Sequence, residues 1–174
     1  GADLEEAIGV DFSGALNVLA PAPMEGGGIA PFGNDVAQFL KQPNPKSCQE
    51  CDLTKADLTG SDLREANLSQ ANLTGANLTG ADLWDTDLSG ANLRYANLTG
   101  ADLWDTNLTG ANLTGANLWD TDLDGADLSG ADLTGANLTG AGLDEANFLD
   151  AKLDDVIGAD FSDAKNVPPK YLKD

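Results

Sequence analysis

The sequence contains no histidine and only two cysteines, Cys48 and Cys51. A zinc site would need two further Cys or His ligands, and the chain has none. The side chain most often used for general acid–base catalysis is also missing. Basic residues are scarce: 9 Lys and Arg stand against 29 Asp and Glu, a net charge of −20. Binding to nucleic-acid phosphates depends on Lys and Arg displacing counterions, so no nucleic-acid partner is expected. Such a surface favours solubility, cation condensation or a basic partner instead. No run approaches the roughly 18 apolar residues of a membrane span, and no membrane insertion is expected. Gly26-Gly27-Gly28 is not followed by the Gly-Lys-Ser/Thr of a phosphate loop and reads as a linker. Aromatic residues are only 6% of the chain. An aperiodic chain this poor in bulky apolar surface would be disordered.

The chain is not aperiodic. From Cys51 to Asp155 it reads as 21 consecutive five-residue units without an insertion. The unit is Ala, then Asn or Asp, then Leu, then commonly Thr or Ser, then commonly Gly. The third place is Leu from Leu53 to Leu153, with Phe148 the one substitute, and Cys51, Ser61, Thr86, Thr106 and Thr121 are small alternatives at the first. A period of five fits neither a 3.6-residue helix nor a two-residue strand. A solenoid with one short turn per unit hides every third-place side chain on its axis. The expected core therefore includes Leu53, Leu58, Leu73, Leu93, Leu113, Leu133 and Phe148. Ala fills the narrow space beside each Leu, while Asn, Asp, Thr and Gly face outward, with Gly easing the corners.

Units such as Ala71-Asn72-Leu73-Thr74-Gly75 and Ala136-Asn137-Leu138-Thr139-Gly140 resemble the A(D/N)LXX motif of the pentapeptide-repeat family. The resemblance covers 105 of 174 residues. It implies an all-β solenoid, a right-handed quadrilateral β-helix with four pentapeptides per coil. Twenty-one units then make about five coils, a rod about 25 Å long at the interstrand spacing of about 4.8 Å. A 20-residue coil stacks Trp84 and Trp104 on one face, with Arg64 before them and Asp124 and Asp144 after. Glu65, Asp85, Asp105 and Glu145 fall in the neighbouring column. Two readings stand side by side. Leu-Trp-Asp-Thr occurs three times, at 83–86, 103–106 and 118–121, which duplication alone explains. Alternatively Arg64, Trp84, Asp85, Trp104 and Asp105 form a contact face.

The expected organisation is a β-helix over 48–163 and a C-terminal cap over 164–174, with Val167, Tyr171 and Leu172 over the end of the rod. Residues 1–18 match 150–167 at ten positions and read as an irregular first coil. Residues 19–47 read as a Pro- and Gly-rich loop with a short helix capped by Asn34, placing Val36, Phe39 and Leu40 on one side. The alternative for 1–18 is docking on the C-terminal end of a neighbour, so the chain is either a monomer or an end-to-end homo-oligomer. It opens at Gly1 without a signal-like segment, which fits either a removed leader or a trimmed chain.

Cys48 and Cys51 form a CxxC where the array begins. A redox catalyst normally carries this motif at a strand-to-helix junction of an α/β fold, and no such fold is expected here. A structural disulfide fixing the first coil remains, and it resembles the disulfide before the array in pentapeptide-repeat proteins of photosynthetic organisms. A stable disulfide implies an oxidising compartment, here thylakoid lumen or periplasm, with the cytoplasm as the alternative. The carboxylates have no pocket in which to be activated, so neither an enzyme nor a cofactor is expected.

The leading expectation is a non-enzymatic binding or structural module with an unidentified protein partner. One branch of the family resembles duplex DNA and acts on DNA gyrase. The array carries 19 acidic and 4 basic residues, a net −15, and duplex DNA has about 15 charges over the same length at one per ~1.7 Å. DNA mimicry is therefore the alternative. A second is weak divalent-cation binding by Asp120, Asp122 and Asp124.

Overall fold

Each five-residue unit forms one flat side and one corner. The computed structural model describes residues 36–172; the expectations for 1–18, for the loop up to residue 35 and for the Asn34 cap lie outside the described residues. The second-place residue of each unit pairs in a parallel bridge with the residue twenty later, from Ser47 with Asn67 through Asn137 with Ile157. Four sides therefore complete each coil.

The unit 71–75 shows how its backbone N–H groups are paired. The Asn72 N–H donates to Cys51 O in the preceding coil (2.8 Å), and the Leu73 N–H donates to Asn92 O in the following one (2.8 Å). Gly75 N–H donates to Arg94 O (2.8 Å), and the next first-place N–H, Ala76, closes the corner on Leu73 O (2.9 Å). The fourth-place N–H, Thr74, has no neighbour above or below and donates to Asn72 Oδ1 (3.2 Å). The Thr74 hydroxyl donates to the same oxygen (2.7 Å). Asn or Asp thus fills the second place in most units, because a short side-chain oxygen reaches the N–H two residues on; where Gly142 stands there, the Asp144 N–H donates to Asp124 Oδ1 of the preceding coil instead (2.9 Å).

The fifth place turns the corner in the left-handed region at every unit, from Glu50 (φ 54) to Asp155 (φ 59). Gly takes that conformation freely, whereas residues such as Tyr95 and Asp105 each cost about 1 kcal/mol there. Inside, Leu53, Leu58, Leu73, Leu93, Leu113, Leu133 and Phe148 are all at most 2% exposed. A fully buried Leu contributes about 1.5–3 kcal/mol, so the axial stack outweighs the corner strain.

The ends depart from the expected register. Stacking starts one unit earlier than Cys51, at Lys46–Glu50, where Cys48 holds the leucine place and Lys46 the alanine place. The last coil closes in eighteen residues, Asn147 pairing with Lys165, because Val156-Ile157-Gly158 is a three-residue side. Phe161 then packs edge-on to Phe148 at 5.2 Å. A 3-10 turn over Pro169–Tyr171 follows. Val167 is buried and Tyr171 packs against the core, with its hydroxyl donating to Asp154 Oδ1 (2.6 Å). Leu172 is 49% exposed and borders a depression with Ala159, Phe161 and Tyr171 at this end. At the other end helix α1, Val36–Leu40, buries Phe39, and Val36 and Leu40 pack beside it on the core.

The corner makes a direct prediction. A Cβ on Gly100 meets nothing within 4 Å, whereas one on Gly115 falls 2.7 Å from the Tyr95 ring. Gly100→Ala is expected to lower stability by about 1 kcal/mol through the left-handed φ alone. Gly115→Ala is expected to lose more, the excess vanishing in a Tyr95→Gly background. Urea unfolding of the four variants checks this.

Candidate functional site

Because the interior is filled, any chemistry lies on the outer faces. One face is assembled from units 61–65, 81–85, 101–105, 121–125, 141–145 and 159–163. Its second-place column reads Asp62, Asp82, Asp102, Asp122, Gly142, Asp160. Its fifth-place column reads Glu65, Asp85, Asp105, Gly125, Glu145, Asp163, and between them run Arg64, Trp84, Trp104, Asp124, Asp144 and Ser162. Twelve carboxylates thus share the face with one basic residue.

The adjacent face differs at the same architectural position, carrying Asn77, Asn97, Asn117 and Asn137. There each amide both donates and accepts: Asn117 Nδ2 donates to Asn97 Oδ1 and Asn137 Nδ2 to Asn117 Oδ1, both at 3.2 Å. Ionised Asp has no donor, so the column Asp82, Asp102, Asp122 can form no such ladder. Neighbouring carboxylates about 4.8 Å apart repel by about 1 kcal/mol in water. The fold works with either residue, and on this face it carries the one that costs stability.

Arg64 relieves the repulsion at one end. Its Nε lies 3.0 Å from Asp62 Oδ1 and 3.4 Å from Asp82 Oδ2, while Nη2 donates to Asp62 Oδ2 at 3.0 Å. The hydrogen-bonded guanidinium, helped by Asn44, holds the Asp62 carboxyl well below the usual range against a smaller opposing effect of desolvation.

Trp84 and Trp104 are stacked, centroids 6.1 Å apart and planes 12° from parallel. Trp104 is 45% exposed, Trp84 is half-buried, and the Trp84 Nε1–H is buried with no hydrogen-bond partner. Asp85 and Asp105 flank them from the left-handed corner places, the Asp105 carboxylate resting against Gly125. The third copy of the motif is not joined to this pair, as Trp119 stands on the amide face. The Thr of each copy has a structural role: the buried hydroxyls of Thr86, Thr106 and Thr121 donate to Leu63, Leu83 and Leu98 carbonyls at 2.7, 2.8 and 3.0 Å. Sequence reading missed the Asp62–Asp122 column, although writing the chain in rows of twenty displays it.

Cys48 and Cys51 are joined in a buried disulfide, Cα to Cα 5.4 Å. It links the third place of one side to the first of the next, the two places that the following corner ties by Ala56 N–H to Leu53 O (3.0 Å). Asp120, Asp122 and Asp124 do not converge. Asp122 accepts from the Asp124 N–H and Asp124 from the Asp144 N–H, while the Asp120 carboxylate rests against Gly140. Among the described residues no group of three or more His, Cys, Asp or Glu side chains is placed to hold a metal ion. Nor is any helix among them long and apolar enough to cross a membrane.

Four-sided coils with a filled axis and one charged, aromatic face define a β-solenoid repeat protein. A family model described as pentapeptide repeats matches residues 47–85, 71–110, 86–123 and 121–165. The chain belongs to the pentapeptide-repeat family, and with it to the right-handed β-helix solenoids.

No curated protein matches the chain. Among solved structures, it is similar to the pentapeptide repeat protein Rfr23 from the cyanobacterium Cyanothece 51142, with 29% identity over 68% of this chain and 90% of that one, TM-score 0.36. It is similar to a pentapeptide repeat protein from the Arabidopsis thaliana thylakoid lumen, with 36% identity over 53% of this chain and 64% of that one, TM-score 0.33. A third is HetL from the cyanobacterium Nostoc sp. strain PCC 7120, involved in heterocyst differentiation regulation, with 31% identity over 68% and 71%, TM-score 0.28. At such TM-scores the likeness extends to the repeat and no further.

The contrast between the two faces predicts a stability gain on losing charge. Asp102→Asn with Asp122→Asn extends an amide ladder onto the acidic face and is expected to stabilise the protein by about 1 kcal/mol. Asn97→Asp with Asn117→Asp is expected to destabilise it by a similar amount. Thermal unfolding at low salt and in 1 M NaCl checks both. Screening should shrink the effects; a loss of stability in the first variant would refute the repulsion account.

Proposed function

We propose that the protein is a non-enzymatic binding module that meets a protein partner through the face bearing Arg64, Trp84, Asp85, Trp104 and Asp105. The observation that carries this reading is the stacked Trp pair, with Trp104 45% exposed, set between two carboxylate columns. Like-charged carboxylates in adjacent coils repel one another, so the fold alone does not call for them, and Trp side chains are enriched among the residues that dominate interfaces. Duplication accounts for the motif occurring three times but not for Asp at every second place from Asp62 to Asp122. The compartment we infer is an oxidising one, thylakoid lumen or periplasm. The buried Cys48–Cys51 disulfide supports it, because such bonds persist where thiols are not kept reduced.

A DNA-mimicking role is the second reading, favoured by the net charge alone. Duplex phosphates run on two strands around an axis, whereas here the carboxylates gather on one side, so a single-faced contact fits better.

Two outcomes test the proposal. Trp84→Ala with Trp104→Ala is expected to abolish the interactions of the native protein while leaving its unfolding midpoint within a few degrees; unchanged interactions would sink the contact-face reading. Cell fractionation with thiol trapping should find Cys48 and Cys51 oxidised outside the cytoplasm. Free thiols on a cytoplasmic protein would overturn the compartment and send the search to gyrase. Cys48→Ser with Cys51→Ser is expected to cost about 2 kcal/mol for so short a loop, with faster amide exchange confined to the first coil.

A further inference from the structure

Arg64 displays how the acidic face holds a cation. Its guanidinium sits between two rungs of the carboxylate column, 3.0 Å from Asp62 and 3.4 Å from Asp82, and lines the same shallow depression as the Trp84 ring. One coil further, Asp102 and Asp122 repeat the two rungs and Trp104 stands 45% exposed. No basic side chain occupies the column there, since Arg64 is the one basic residue on this face among those described. The chain has therefore built one cation site on a repeating surface, and in the next two coils Trp84 and Trp104 stand where Arg64 stands in the first.

We propose that this face docks a cationic polypeptide segment. Its Arg or Lys side chains lie over the Trp84 and Trp104 rings and reach the flanking carboxylates Asp82, Asp102 and Asp122, as the Arg64 guanidinium reaches Asp62 and Asp82. The inference rests on the contact-face reading and names the partner's chemistry. Charge complementarity selects the occupant: of twelve carboxylates on the face, Arg64 pairs with Asp62 and Asp82 and Lys165 of the neighbouring side with Glu145, which leaves a large excess of negative charge around Asp102 and Asp122. A cation beside the rungs reduces the repulsion that Asn ladders avoid elsewhere, and the exposed Trp104 ring attracts a guanidinium lying over it. Length fits as well, since an extended segment of about six residues spans the ~20 Å of this face at about 3.3 Å per residue. A single divalent ion is a poor occupant because the carboxylates do not converge, and a nucleic acid is repelled.

The test uses the full chain and a fluorescein-labelled seven-residue peptide of alternating Gly and Arg, titrated by fluorescence anisotropy at ~0.15 M salt. The variant Asp102→Asn with Asp122→Asn is compared with Asp87→Asn with Asp127→Asn, which removes the same charge from another face. The first is expected to weaken binding about tenfold or more through loss of charge-assisted contacts, the second less than about twofold. Trp104→Ala is expected to weaken binding further. Equal losses in the two Asn variants would reduce the attraction to bulk charge and overturn the proposal. Face-selective binding of spermine without binding of the peptide would overturn the polypeptide assignment. If the Trp84→Ala with Trp104→Ala variant loses its native interactions while the peptide ignores the face, the contact surface stands and only its cationic partner falls.

Discussion

One hydrogen bond makes the five-residue side possible: the N–H of the fourth residue donating to the side-chain oxygen of the second. Every other N–H of unit 71–75 points up, down or across the corner to a carbonyl. The fourth does not, and a backbone group left unpaired costs about as much as a lost hydrogen bond. The oxygen at Asn72, and at the same place in nearly every unit, supplies the partner from within. With that group satisfied locally, each side is only one bridge wide and the chain can turn after five residues. Leu alone then fills the axis and Ala the corners, which is why so aromatic-poor a sequence buries a continuous core.

The same bond leaves a choice that folding does not make. Asn and Asp present the same accepting oxygen, so the corner forms with either. They differ in what remains: an amide N–H₂ that binds the next coil, or a charge that repels it. Asn on the face of Asn97 and Asn117 binds coil to coil. Asp82 and Asp102 make no such side-chain ladder, and coils there are joined by the backbone, the Leu stack, the Trp84–Trp104 pair and Arg64. The charge left over on this face is thus the part of the side chain that the fold does not use. The disulfide follows a parallel logic. Cys48 and Cys51 stand at the Leu and Ala places of the first corner among the described residues. A covalent tie adds there to the packing that interior coils exchange.

The period of five, the axial Leu and the 20-residue coil were legible in the residues because each follows from local geometry repeated many times. The Trp84–Trp104 column was legible for the same reason: register transmits a sequence interval of twenty into a stack. The ends were not. Lys46-Ser47-Cys48-Gln49-Glu50 does not look like a unit, because an end coil is stacked on one side only and tolerates Lys in the alanine place and Cys in the leucine place. The three-residue side Val156-Ile157-Gly158 breaks the spacing, and nothing local shows that the coil nonetheless closes in eighteen residues on Asn147. Leu172 looked like a capping residue by hydrophobicity, yet it is left half outside.

The sequence by itself determined the solenoid, its axis, its corners and the family to which the chain belongs, since all four depend on contacts within a unit and between identical units. The tertiary structure decided where the stack begins and ends, and which carboxylates share a face. It also decided that Arg64 spans two of them, and that Trp119 is held apart from the Trp pair it duplicates. Those outcomes depend on which side of the square a residue occupies, a property set by counting coils from an end that the repeat itself does not mark.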